Sequence, residues 1–406
     1  MLGNAIVGQS GGPTSVINAS LVGVYKTARD MGAGKVFGMR NGLTGLLEEQ
    51  ILDLKKYIKN DLDIELLKRT PSSFLGSCRY KLPDWEQEPG LYQKIFNILE
   101  KWKISSFFYI GGNDSMDTLL KLSQYGTRIG SPVCFVGIPK TIDNDLACTD
   151  HTPGFGSAAK YIASVMKEII RDNLVYGTDS ITVVEIMGRN AGWLTAAAAL
   201  SKSEDCEGPE LLYLPELPFE PKSFLEKVRQ RHKTKKAFVI AVSEGVRTRE
   251  GTYICERNST QRVTDAFGHK ALGGTAIYLA DFLMQEMGIK TRGISLGPLQ
   301  RCASHIVSRT DVTEAFLAGG YAVQLAAEGK NGVMVVFLRL SDDPYRMELS
   351  WCEVADAANV EKKIPPQWIT GDGTYVTNEC VQYIKPLIIG ELEPFMVAGM
   401  PRHLYL

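Results

Sequence analysis

An open, doubly wound α/β sheet is the architecture this sequence predicts, and three observations carry it. Short apolar runs recur without polar alternation, as in strands covered on both faces of a parallel sheet. Stretches with helical apolar spacing separate them, giving a repeated βα pattern. Loops rich in glycine and carboxylates follow several runs, at the strand ends where such sheets bind ligands.

In order, the predicted strands are Ala5 to Val7, Val36 to Met39, Phe107 to Ile110, Val133 to Ile138, Ile181 to Met187, Phe238 to Val242 and Val333 to Leu338. The predicted helices are Ser15 to Arg29, Leu91 to Lys103, Ser115 to Gln124, Ala158 to Arg171, Gly192 to Ser201, Lys222 to Arg231 and Gly273 to Met287. Thr14 or Ser15 is placed to cap the first helix, and Asp114 or Ser115 the third. Ser203 to Gly208, which is charged, and Leu211 to Pro221, proline-rich and acidic, read as surface connections. From Ser341 to Leu406 the periodicity weakens around Ile364-Pro365-Pro366 and Gly371-Asp372-Gly373, which predicts an irregular appendage or partner surface. At 406 residues the chain has length for two or three packed units.

Hydrophobic residues make up 44% and charged residues 22%, ordinary globular usage that argues against disordered, fibrous and membrane classes. A net charge of −1 gives no global field to draw nucleic acid or an anionic membrane, so any anion site must be local. Eight scattered cysteines form no C-x-x-C pair and no metal-ligand spacing, which predicts reduced thiols. Met1 to Gly8 lacks a basic leader, and no run approaches the ~20 apolar residues of a membrane span; the expectation is a soluble, cytoplasmic protein.

Three strand-end loops carry the chemistry. Gln9-Ser10-Gly11-Gly12-Pro13-Thr14 leads from strand to helix, where glycine lets backbone N–H groups approach phosphate and the helix N-terminus favours an anion. Alone, that glycine pair reads first as an ordinary tight turn. Gly111-Gly112-Asn113-Asp114-Ser115 repeats the layout with more polar groups than a cap needs. Pro139-Lys140-Thr141-Ile142-Asp143-Asn144-Asp145 adds carboxylates at the next strand end, where an Mg²⁺ bridging phosphate oxygens is expected. Asp143 suits the acceptance of a proton from an attacking alcohol, Thr141 offers a hydroxyl, and Lys140 brings a compact positive charge to phosphoryl oxygens.

Arg79 in Gly76-Ser77-Cys78-Arg79, Arg189 in Met187-Gly188-Arg189, and Arg292 and Arg301 around Gly293 to Gln300 add forked cations suited to phosphate. Each singly reads first as a surface ion-pair partner. Glu244 ends the strand Phe238 to Ser243, where it can accept sugar hydroxyls. The five histidines, at 151, 232, 269, 305 and 403, show no triad or metal pattern.

With Pro153-Gly154-Phe155-Gly156, Ser243-Glu244-Gly245 and Gln300-Arg301, these strings resemble the phosphofructokinase family, most closely its pyrophosphate-dependent branch, in order over residues 3 to 340. The resemblance implies two doubly wound three-layer (αβα) domains. Residues 1–155 with about 300–340 would bind pyrophosphate and metal, 156–299 the sugar phosphate, and 341–406 would pack on the core as an extension. It also implies reversible, Mg²⁺-dependent phosphoryl transfer to the 1-hydroxyl of fructose 6-phosphate by a homodimer or homotetramer, without nucleic acid or membrane.

Under the same likeness Asp143 is the base, Asp145 and Thr141 support it, and Arg189 and Lys140 stabilise the transferring group. Gly11, Gly12, Arg79, Asn113, Asp114 and Ser115 hold the donor, with Asn113 and Asp114 at the metal. Thr141, Asp143, Met187, Gly188, Arg189, Glu244, Arg292 and Arg301 bind the sugar phosphate, and Lys140 joins the donor set. ATP-using relatives resemble Gly-Gly-Asp-Gly and Pro-Gly-Thr at the two key loops. Asp114 and Lys140 stand here instead, adding bulk and negative charge where a nucleotide's α-phosphate would pass and attraction for the shorter diphosphate. The family usually has aspartate where Asn113 stands, which leaves Asp114 to take over ligation. An ATP-dependent sugar-phosphate kinase and a catalytically silent phosphate-sensing homologue are the alternative readings.

Overall fold

The computed structural model describes residues 3–175, 177–258 and 272–406. His269 therefore lies outside the described residues. Among them are two large sheets with helices on both faces, one mixed and one all parallel, and a two-stranded ribbon of Met396–Val397 and Met400–Pro401.

The first sheet is built from β1 (Asn4–Gln9), β2 (Val36–Met39), β3 (Ile51–Asp53), β4 (Ile104–Gly111) and β5 (Cys134–Pro139). The second holds β6 (Ser180–Ile186), β7 (Leu211–Tyr213), β8 (Ala237–Ser243) and β9 (Lys290–Ser295). The chain then returns to the first sheet with β10 (Val333–Asp342) and β11 (Tyr345–Glu353). The first sheet runs β11-β10-β5-β4-β1-β2-β3, antiparallel only where β11 meets β10 and β3 meets β2. The second runs β7-β8-β6-β9, parallel throughout. In the first sheet the strand order reverses between β1 and β4, so the loops after them flank a crevice. Those are the Gly11-Gly12 and Gly111-Gly112 loops.

The central strands are buried along nearly their whole length, with Ile6, Val7, Phe107, Phe108, Ile110, Phe135 and Val136 inaccessible to solvent. Side chains from opposite faces of β1, β4 and β5 enter different apolar clusters, as a three-layer fold requires. Across the second sheet, one face packs on Phe219, Phe224 and Leu279, and the other on helix Phe155–Asn173 and Trp193. That latter cluster also takes in Ile364, Ile369, Tyr383 and Leu387 from the C-terminal extension.

Several expectations need correction. Leu211 to Tyr213 is not a surface connection: it is strand β7, with Leu211 and Leu212 buried. Its three residues are too few to show a period. The first helix starts at Ile17 with Val16 as N-cap and no side-chain cap bond; the Thr14 hydroxyl instead accepts the N–H of Val16 at 3.3 Å. Gly112, not Asp114 or Ser115, occupies the N-cap of helix Asn113–Arg128, which moves both polar residues into the first turn. Helix Arg309–Ala327, with strands β3, β9 and β11, had no distinct periodic signal.

Candidate active site

Five strand ends meet in a cavity of about 690 Å³. After β1, Gly11 turns in the left-handed region at φ +73°, and its N–H donates to the carbonyl of Cys78 at 3.0 Å. A side chain there would enter the site, since its Cβ would lie 3.5 Å from Lys140 Nζ. A Cβ on Gly12 would lie 3.3 Å from Arg301 Nη1. The loop is thus held between a lysine from the first sheet and an arginine from the second half.

After β4, helix Asn113–Arg128 points its N-terminus at the cavity, with Asp114 and Ser115 in the first turn. Gly111 is required by contact, because a Cβ would come within 1.9 Å of Ser115 Oγ. In the orientation that satisfies its amide, Asn113 donates to the carbonyls of Ala357 at 3.1 Å and Val360 at 3.3 Å. An aspartate would meet those two acceptors with a negative charge, which gives a physical reason for asparagine here.

After β5, the Lys140 N–H donates to the Gly111 carbonyl at 3.0 Å, and its ammonium donates to the Gly12 carbonyl at 2.5 Å. Thr141 Oγ accepts the Asp143 N–H at 3.1 Å. Asn144 adopts φ +53° between the two aspartates, a conformation its short amide tolerates. Its side chain accepts the Thr152 N–H and donates to Tyr383 Oη, so Asp143 and Asp145 both line the cavity while Asn144 faces inward.

The second sheet contributes the opposite wall: Met187 and Arg189 after β6, Glu244 after β8, and Arg301. Gln300 Oε1 accepts the Met187 N–H at 3.0 Å, and Ser243 Oγ donates to the Gly188 carbonyl at 2.5 Å. A Cβ on Gly245 would strike the Arg189 carbonyl at 2.0 Å, so the Glu244 and Arg189 loops interlock.

Burial sets the electrostatics. Lys140, 2% exposed, is pulled down to about 8 by burial, with Arg301 and Arg79 adding to the effect and Asp143 opposing it. Asp143 and Asp145 are pushed above the usual carboxylate range, first by burial and then by neighbouring carboxylates, Glu244 on Asp143 and Asp143 on Asp145. Two such neighbours titrate as a unit. Glu244 is raised to about 7 by burial, against the Gly188 N–H and the nearby arginines.

Gly11, Gly12, Arg79, Asn113, Asp114, Ser115, Lys140, Thr141, Asp143, Asp145, Met187, Arg189, Glu244 and Arg301 all line this one cavity. Gly188 stands behind it, at φ +131° with its N–H directed to Glu244 Oε1 at 3.4 Å, and acts on the backbone only. Arg292 is not brought in. It sits on β9, an edge strand, with a side chain 55% exposed and 3.5 Å from Asp172, because that position faces solvent. Asn190 and Ala191, next to Arg189, line it without having been foreseen, and so do three residues of the C-terminal extension, Asn359, Glu361 and Lys363. More than two hundred residues separate these three from the aspartate loop, and no local pattern signals the contact.

No group of three or more metal-ligating His, Cys, Asp or Glu side chains occurs among the described residues. Magnesium fits this site in its usual manner, which takes one or two protein carboxylates and completes its shell with phosphate oxygens and water. Asp114 is the carboxylate placed for that at the helix N-terminus, whereas the Asn113 amide nitrogen is committed to the extension.

Two crossed-over sheets, one mixed and one parallel, whose strand-end loops enclose one cavity define the class: this chain belongs to the phosphofructokinase family, whose pattern matches residues 4–326. Within it, the chain is similar to proteins named pyrophosphate–fructose 6-phosphate 1-phosphotransferase. That of Methylococcus capsulatus is 41% identical over 407 residues, covering 99% of this chain and 96% of the relative. That of Halomonas elongata is 41% identical over 403 residues, covering 98% and 95%. The crystal structure of a pyrophosphate-dependent phosphofructokinase from Nitrosospira multiformis superposes with a TM-score of 0.88 at 38% identity, covering 98% of this chain and 95% of that one.

Proposed function

We propose that this cavity transfers a phosphoryl group reversibly from pyrophosphate to the 1-hydroxyl of fructose 6-phosphate. The observation that carries the reading is the placement of buried Lys140 and of Asp114 in the same cavity as the paired aspartates. The hydroxyl oxygen attacks the terminal phosphorus, Asp143 takes the hydroxyl proton, and the bond to the bridging oxygen breaks to release phosphate. Asp145 lines the cavity beside Asp143, whose basicity is raised by burial and by the Glu244 carboxylate. Lys140, held on the Gly12 carbonyl, is positioned for oxygens of the diphosphate, and Arg189 for the group in transit. Magnesium held by Asp114 and the diphosphate would neutralise charge on the donor.

Glu244, Met187 and Arg301 form the wall that supports binding of the sugar phosphate. Asp114 and the bulk of Lys140 disfavour a nucleotide, whose α-phosphate would face a carboxylate. Crossing Mg-pyrophosphate and Mg-ATP with fructose 6-phosphate, in both directions, tests this. Turnover with pyrophosphate well above that with ATP is expected; the reverse preference refutes the donor assignment.

A further inference from the structure

The catalytic loop is held from outside by the C-terminal extension. The Lys362 N–H donates to the Asp145 carbonyl at 2.7 Å, and Glu361 bridges Leu146 in antiparallel fashion. The Lys362 side chain then runs beneath the loop, where its ammonium donates to Asp150 O at 2.5 Å, Thr149 O at 3.1 Å and Asn144 Oδ1 at 3.4 Å. Asn144 is the left-handed residue that presents the two aspartates to the cavity. An ammonium enclosed among carbonyls is costly for stability alone, since an apolar side chain with the same reach would pack without desolvating a charge.

We propose that Lys362 is a positioning residue for phosphoryl transfer, holding the Asp143-Asn144-Asp145 turn and placing a positive charge beside Asp145. Asp145 faces three charged groups: Asp143 and Glu361, which raise it, and Lys362, which lowers it. Lys362 itself is drawn down to about 8 by burial, so it still carries its proton near neutrality. Removing that charge leaves Asp145 beside two carboxylates without its cationic partner. The pair then takes up a proton at higher pH, and the base is lost where the wild type retains it.

This inference rests on the reading of Asp143 and Asp145 as the catalytic pair, and its test separates the two. Wild type is assayed with each donor first, and the variants with whichever donor and acceptor it turns over. Lys362→Met should lower kcat by about 10- to 100-fold, with smaller changes in KM. It should also move the acid limb of the kcat profile up by roughly half to one pH unit. Lys362→Arg, which keeps the charge, should return the limb towards wild type. Lys362→Gln, which still donates to carbonyls, serves if the methionine variant does not fold. Titrating the ¹³C-labelled aspartates by NMR reads the same shift without turnover. A wild type inactive with every donor defeats the functional reading alone, and the NMR shift then decides the role of Lys362. Unmoved aspartate titration and an unmoved acid limb in both neutral variants, with only thermal stability reduced, would overturn the proposal.

Discussion

In the proposed reaction Asp143 is the base near neutrality, because burial and Glu244 raise it while Lys140, Arg189 and Arg301 favour its ionised form. Its activity requires the ionised form and is lost as pH falls through the raised value of the aspartate pair. Lys140 must keep its proton, which is lost as pH rises through about 8. A bell-shaped kcat/KM profile follows, and Lys140→Arg should carry the alkaline limb to higher pH in any residual activity. Asp143→Asn should lower kcat by about 10²- to 10⁴-fold with little change in KM, as measured by steady-state kinetics. Asp114→Gly combined with Lys140→Gly should weaken pyrophosphate use and admit ATP; a donor competition assay in which pyrophosphate kinetics stay unchanged contradicts the electrostatic account.

His151 shows how a residue can be decisive for stability without touching the site. It lies 3% exposed between Asp150 at 2.8 Å and Glu314 at 2.7 Å. Burial opposes its charge, but Glu314 and Asp150 outweigh that and raise it from 6.5 to about 9. A folded value above the unfolded one gives stability that is complete below about 6.5 and lost as pH rises through about 9. The contribution is on the order of 3 kcal/mol. Urea unfolding at several pH values should show the gap between wild type and His151→Gln closing across that window.

At the scale of elements, helix Ile17–Asp30 crosses helix Arg309–Ala327 through glycines. A Cβ on Gly23 would lie 2.0 Å from the Phe316 carbonyl, and one on Gly319 2.1 Å from the Ser20 carbonyl. Backbone cannot yield as a flexible side chain does, so Gly23→Ala should cost roughly 2–3 kcal/mol in denaturant unfolding. The shift would pass to the Gly11-Gly12 loop, which runs directly into the first of these helices. The second helix was illegible in the sequence because small and apolar residues surround it, with Ala315, Ala318, Gly319, Ala322 and Val323 all buried. Its start is nonetheless well specified: Ser308 accepts the Asp311 N–H, and the Asp311 carboxylate accepts the Gly154 and Ser157 N–H groups of another helix. That second cap is tertiary, so no local window contains it. The seven apolar strands, by contrast, were legible because burial on both faces leaves continuous runs, whereas β9 alternates exposed with partly exposed residues and β7 is too short.

Across the whole molecule, the C-terminal extension is neither an irregular appendage nor a mere surface. β11 pairs along β10 from Val333 opposite Glu353 to Asp342 opposite Tyr345, extending the first sheet. Farther on, Trp368 meets Trp193 edge-on and Tyr383 lies tilted against both in the core of the second, with ring centroids 5.2 to 6.0 Å apart. The segment between them crosses the cavity. Ending the chain at Ala358 removes Ile364, Ile369, Tyr383 and Leu387 from that core. The shortened chain should lose near-ultraviolet circular dichroism, bind a hydrophobic dye and show no turnover; a cooperative, active product would contradict this assignment.

The amino-acid order by itself determined the βα alternation, the three strand-end loops that line the cavity, and the Asp114 and Lys140 positions on which the proposed choice of diphosphate over nucleotide rests. All of these are local: a strand, its turn and the next helix lie within a few tens of residues. Tertiary structure alone decided that Arg292 faces solvent, that Asn113 serves the extension, and that Lys362 reaches beneath Asn144. Those facts depend on which chain-distant backbones come within hydrogen-bond reach, and hydrogen bonds, unlike apolar periodicity, leave no pattern along the chain when their partners lie two hundred residues apart.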